Sequence, residues 1–104
     1  MFKLTTAAAE QVRAAAHQSG LDGLALRLAA SRAADGSISY RMGFDEVKED
    51  DILLTTEGVR VIMEPESVPL LDEAVMDFVE LEPGRFQFIF LNPRDSNYVP
   101  PQQE

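Results

Sequence analysis

At Leu24 the apolar residues of this chain change period, and no other feature restricts the fold as much. Upstream, TTAAAEQVRAAAHQSG keeps helical spacing: Ala8, Val12, Ala15 and Ala16 fall at i, i+4, i+7 and i+8 on one face. Thr5 or Thr6 is placed to cap the first turn, and Gly20 suits a left-handed cap at the other end. So small an apolar stripe allows a helix to lie close against a sheet. Downstream, Leu24, Leu26, Leu28 and Ala30 alternate with Ala25, Arg27 and Ala29, the period of a half-buried strand.

Period two persists to the end of the apolar sequence. ADGS at 34–37 is a turn signal, and Ile38, Tyr40, Met42 and Phe44 continue as a second strand antiparallel to the first. DEVKEDD at 45–51 reads as a solvated charged connection; it lacks the central glycine of a calcium loop. Glu57-Gly58 joins DILLTT to VRVIMEP as a hairpin, and Glu82-Pro83-Gly84 joins VMDFVELE to RFQFIFLNP. Between the hairpins ESVPLLDEA predicts a short helix, with Ser67 at its N-cap and Pro69 in its first turn. In the last strand Phe86, Phe88 and Phe90 share one face and Ile89 and Leu91 the other, so it is central or covered from outside. The expected architecture is α+β: an N-terminal helix, about six short, mostly antiparallel or mixed strands, and one short helix. Residues 1–93 form one domain, and residues 94–104, poor in apolar residues, form a flexible polar tail.

Several functions are excluded by what the chain lacks. It has no cysteine, so disulfides, thiolate metal sites and cysteine nucleophiles are impossible. Eighteen acidic side chains against nine basic ones give a net charge of −9, and the basic residues are scattered. Nucleic acid and anionic membranes, which need clustered Lys and Arg, are not expected partners. No apolar run approaches the roughly 20 residues that span a bilayer, and the N-terminus lacks a signal core, so the cytoplasm is the expected location. His17 is the sole histidine and has no glycine-flanked serine to serve; it reads as a surface residue near a helix end. No nucleotide-binding glycine loop is present.

The segments LTTAAAEQVRAAA, LALRLAAS, GSISYRMGF, DDILL, EGVRVIMEPESVPLLDEAVMDFVE and GRFQFIFLNP follow one another in an order that resembles the A-type iron–sulfur carrier family, the HesB/IscA-like proteins, from about Lys3 to Pro93. The resemblance implies the small HesB/IscA-like domain. It also implies proteins that bind iron or a [2Fe–2S] cluster, often across a dimer, and pass it to client apoproteins. The family's ligands are one cysteine before the SYRMGF-like strand and a Cys-x-Cys pair in the tail. Carried over by position, these fall at about Asp35, Val99 and Pro101. Clusters are held by thiolates, so the resemblance implies a scaffold without its ligands: no catalytic residue, cofactor or metal ligand is assigned. The expected function is a non-enzymatic protein-binding module whose partners are iron–sulfur assembly factors or a second copy of itself. The alternative is an iron or divalent-metal carrier using Asp35 and acids such as Asp95. An enzyme built on surface carboxylates with Tyr40 or Tyr98 has no motif behind it.

Overall fold

The computed structural model describes residues 1–98. The alanine-rich segment forms α1 (Thr6–Gln18). Thr5 caps it: the Thr5 Oγ1 accepts from the Ala8 N–H at 3.1 Å and donates to Asp77 Oδ1 at 2.6 Å. At the other end Gly20 takes φ +70°. The Leu21 N–H then reaches Ala16 O at 2.8 Å and the Gly20 N–H reaches His17 O at 3.1 Å, the paired bonds of a Schellman cap. The buried face is Ala8, Ala9, Val12 and Ala16, turned toward Ala9 from the expected stripe.

The strands form two sheets. In the larger, β2 (Ala25–Arg32) pairs antiparallel with β3 (Ile38–Asp45), and β4 (Ile52–Thr56) with β5 (Val59–Met63). The two hairpins join through parallel pairing of Leu26–Leu28 with Val61–Met63, giving the order β3-β2-β5-β4. The connection between β4 and β5 is a tight turn with Glu57 at φ +51° and Gly58 at φ +77°, the left-handed pair that a two-residue hairpin requires. Its tip docks on α1, where Arg13 Nη1 donates to Glu57 O at 2.7 Å.

The smaller sheet has the order β1-β6-β7. Here β6 (Val75–Glu82) and β7 (Arg85–Leu91) form the second expected hairpin, and β1 (Lys3–Leu4) runs parallel to the start of β6. Among the described residues β7 is an edge strand, not a central one, although its sequence is apolar on both faces. Side chains from both sheets and α1 meet in one core that includes Phe2, Leu4, Ala9, Leu28, Val61 and Met76. Burying an aliphatic side chain such as Leu28, 1% exposed, contributes about 1.5–3 kcal/mol.

Two local expectations are corrected. The segment after β5 is a 3-10 turn (Pro65–Ser67) followed by one short helix, α2 (Val68–Leu71). Ser67 does not cap that helix with its side chain: its buried hydroxyl accepts from the Ala30 N–H at 3.1 Å, satisfying β2 where β5 has ended. The charged connection is not simply solvated. Arg27 on β2 reaches Asp45 Oδ2 at 2.8 Å and Asp51 at 2.5 and 2.7 Å, and the Asp51 side chain is only 4% exposed. A planar guanidinium with several donors draws the loop back onto the strand.

Candidate functional site

Two segments 60 residues apart in sequence meet at one edge of the larger sheet. One is the turn between β2 and β3. The Ala33 N–H bonds Ser37 O at 2.8 Å and the Gly36 N–H bonds Ala33 O at 3.0 Å, with Gly36 at φ +88°. Asp35 closes this turn with its own carboxylate, whose Oδ1 accepts from the Ser37 N–H at 2.9 Å and from the Ser37 hydroxyl at 2.6 Å. These bonds favour the charged form and hold the exposed Asp35 carboxyl below its ordinary value.

The other segment is the turn that follows β7. Asn92, 1% exposed, donates to Leu70 O at 2.7 Å and to the Tyr40 hydroxyl at 3.2 Å, and its Oδ1 accepts from the Arg94 N–H at 3.1 Å. Asp95 then fastens this turn to β3. Its Oδ1 accepts from the backbone N–H groups of Ile38 at 3.3 Å and Asn97 at 3.0 Å, and its Oδ2 accepts from the Tyr40 hydroxyl at 3.0 Å. Tyr40 lies flat on Phe90, ring centres 4.1 Å apart and planes within 3°. Burial first, with the Asp95 hydrogen bond adding to it and Asn92 opposing it, pushes the Tyr40 phenol up to about 12.

Direct bonds complete the junction. The Ser96 N–H reaches Gly36 O at 3.3 Å, and Arg32 Nη1 bridges Gly36 O at 2.9 Å and Arg94 O at 3.0 Å. Residues 94–98, beyond the domain boundary expected at Pro93, are therefore tied to the turn that carries Asp35. Val99 and Pro101, together with the rest of the tail expected to be flexible, lie outside the described residues.

The donor chemistry of this junction does not fit an iron–sulfur cluster. It contains no thiol, Asp35 is engaged by Ser37, and both oxygens of Asp95 are engaged by Tyr40, Ile38 and Asn97. Among the described residues no group of three or more His, Asp or Glu side chains is placed to hold a metal ion. His17 lies at the end of α1, 83% exposed and 3.3 Å from Asp22, remote in role from the junction. Tyr40 belongs to the junction as a hydrogen-bonding strut. The Tyr98 N–H closes the last turn on Asp95 O at 2.9 Å.

Sequence reasoning did not find the Arg27 cluster. Lys48 Nζ joins Asp45 Oδ2 at 2.9 Å, and the Lys48 N–H donates to Asp51 at 2.7 Å. Asp51 is held down at about 2, chiefly by Arg27 and then by the Lys48 N–H. Asp45 lies still lower, through Lys48 first and Arg27 second. The Arg27 guanidinium is stabilised in return, mainly by Asp51. Every charge in this cluster has a partner, which makes it a structural clamp. No helix among the described residues is long and apolar enough to cross a membrane.

Comparison with known proteins agrees with the architecture. The iron-binding protein IscA of Yersinia pestis (strain Pestoides F) is 36% identical over 99 residues, covering 92% of this chain and 89% of its own. A protein of Aquifex aeolicus (strain VF5) is 31% identical over 80 residues, 76% of this chain and 69% of its own. Among solved structures, Escherichia coli SufA, involved in biosynthesis of iron–sulfur clusters, superposes with TM-score 0.73 at 26% identity over 95% of this chain and 86% of its own. IscA with a [2Fe–2S] cluster superposes with TM-score 0.71 at 25% identity, covering 89% and 86%. The profile of the iron-sulphur cluster biosynthesis family matches residues 1–98, ending just before Val99. With the match running through all three hairpins, the capped helix and the Asn92 turn, this cysteine-free chain belongs to the iron-sulphur cluster biosynthesis family.

Proposed function

We propose that this protein is a non-enzymatic, protein-binding accessory of iron–sulfur cluster assembly, acting in the cytoplasm, that does not carry a cluster on thiols of its own. The carrying observation is the complete absence of cysteine from a chain that retains the family's fold. In this reading Asp35, Val99 and Pro101 stand where the family's ligands are expected. Asp35 serves its own turn there, bonded to Ser37. With no ligand set to offer, the scaffold acts through its surface, and assembly factors or a second copy are its partners.

Anaerobic incubation of the purified chain with iron and sulfide, followed by desalting, tests this reading. The expected product has no bound iron and no visible cluster bands. Cluster absorption on the isolated chain refutes it. Stoichiometric iron without cluster bands also refutes it and assigns the chain to carboxylate-based metal carriage, with Asp35→Ala the next variant.

A further inference from the structure

β4 is the outer strand of the larger sheet, and among the described residues no strand pairs with its free edge. Sheet edges in soluble proteins are usually blunted by proline, lysine, inward charge or a bulge. Ile52-Leu53-Leu54-Thr55-Thr56 contains no proline and no charge, and it keeps one register with β5 throughout. Beside this edge lies a groove of about 260 Å³ walled by Phe2, Leu54, Met63 and Val68, with Met1 and Ile52 at its rims. Phe2 and Met63 are buried at its floor, whereas Ile52 is 44% exposed and Leu53 next to it 50%. Asp72 supplies the groove's one charged side chain.

The period of the strand sets a second surface against the first. Ile52 and Leu54 stand opposite Met63 and Val61 on the groove's side, whereas Leu53 falls in one row with Ile62 and Arg27 on the other face. That face opens on a cleft of about 520 Å³, formed where the loop before β4 meets the turn after β5. The cations of this cleft are already committed, Arg27 to Asp45 and Asp51 and Lys48 to Asp45. Glu49, Asp50, Glu64 and Glu66 line the same cleft, all exposed, and make no ion pair among the described residues.

We infer that the β4 edge receives an extended, basic segment of a partner protein, added to the sheet as a further strand. Apolar side chains at alternate positions of that segment sit in the groove, and the lysine or arginine side chains between them turn toward the acidic cleft. Backbone pairing at a free edge supplies affinity whatever the sequence, and the two faces of the added strand supply the choice. Period two matches the segment to the site, since one of its faces meets apolar walls and the other meets carboxylates. Charge selects the sign of the partner: four uncompensated carboxylates on a chain of net charge −9 repel an acidic segment and steer a basic one. A second copy would bring an identical set of acids to the edge. The inference rests on the protein-binding reading and gives it a surface and a partner chemistry. The two fail separately, since peptide binding is read without iron and cluster absorption without peptide.

Fluorescence anisotropy of a short labelled peptide that alternates lysine with valine, titrated with the full chain, tests it. The expected result is saturable binding that weakens as salt is added. The same peptide with glutamate in place of lysine, or with its backbone N-methylated at alternate positions, should not bind. Ile52→Ser at the groove rim should weaken binding about tenfold. A variant combining Glu49→Gln, Asp50→Asn, Glu64→Gln and Glu66→Gln should weaken it about as much and remove most of the salt dependence. Circular dichroism should be unchanged in both variants. Absence of saturable binding overturns the inference, as do equal binding of the glutamate or N-methylated peptide and binding that neither variant weakens. A doubled mass in light scattering that Ile52→Ser returns to the single chain also overturns it, because the occupant is then a second copy. Peptide binding that appears only after residues 99–104 are removed assigns the edge to the chain's own end and overturns it likewise.

Discussion

Replacing Asn92 by leucine isolates the bond system that holds the last turn in place. The volume is nearly kept, so the loss is of hydrogen bonding and not of packing. Asn92 has two donors and one acceptor in use, on Leu70 O, the Tyr40 hydroxyl and the Arg94 N–H. Arg94 is exposed, so its N–H can turn to water, and the Tyr40 hydroxyl still has Asp95 Oδ2. The Leu70 carbonyl has no such recourse beside a leucine side chain. One orphaned carbonyl at about 1–2 kcal/mol, plus about 1 kcal/mol for the weakened Arg94 bond, predicts a loss of about 2–3 kcal/mol. For a domain of this size that is a fall in Tm of roughly 10–20 °C. Urea unfolding gives the free energy directly, and amide exchange at Asp95 and Ser96 should accelerate far more than exchange in α1. A loss below about 0.5 kcal/mol, or exchange that rises equally throughout, would show that Asn92 does not organise the turn.

Three further outcomes follow from the same geometry. Tyr40 titrates near 12 in the folded protein against an ordinary 10.0, so the stability it contributes is complete below 10 and is lost as the pH rises toward 12; tyrosinate absorbance in a Tyr98→Phe background should show this single late ionisation. Asp51 is displaced the other way, to about 2 from 3.8, so its contribution is present above about pH 4 and disappears as the pH falls toward 2. Urea midpoints of Arg27→Met, measured from neutral pH down through that window, should be lower than wild type at neutral pH and should lose most of the acid dependence. Gly58→Ala, at φ +77° in the hairpin that docks on Arg13, should lower stability by about 1 kcal/mol in the same assay, with the helix signal retained.

What could be read in advance was what neighbouring residues decide between themselves. Thr5, Gly20, Glu57-Gly58 and the alternation through β2 and β3 carry their conformations locally, and each formed where the spacing placed it. β1 could not be read this way, because two residues have no period; Lys3 and Leu4 become a strand only by pairing with Val75 and Met76. Arg27 presented itself as the polar member of an alternating strand. Nothing local indicates that Asp51, 24 positions later, returns to cover it. Ser67 has the position of a cap, yet the nearer need was the Ala30 N–H left over where β5 stops. The Asn92 turn announced itself only as an Asn-Pro pair ending a strand, and its three bonds depend on Tyr40 and Leu70 arriving from elsewhere.

The junction shows why loss of the family's thiols need not disturb the fold. The β2–β3 turn is closed by Asp35 and Ser37, within three residues of each other. The turn after β7 is fastened by Asn92 and Asp95, and Arg32 spans the two segments through their carbonyls. Asp35, the one described position expected to hold a cluster ligand, is itself among the residues that make these bonds, closing its own turn on Ser37. The contact between the segments is therefore maintained by ordinary backbone satisfaction, with Asp95 alone receiving three donors. A metal centre is not required to keep the segments together: the bonds that do so engage Asp35 Oδ1 and both oxygens of Asp95. At this junction three carboxylate oxygens, Asp35 Oδ1 and both oxygens of Asp95, serve structural closure.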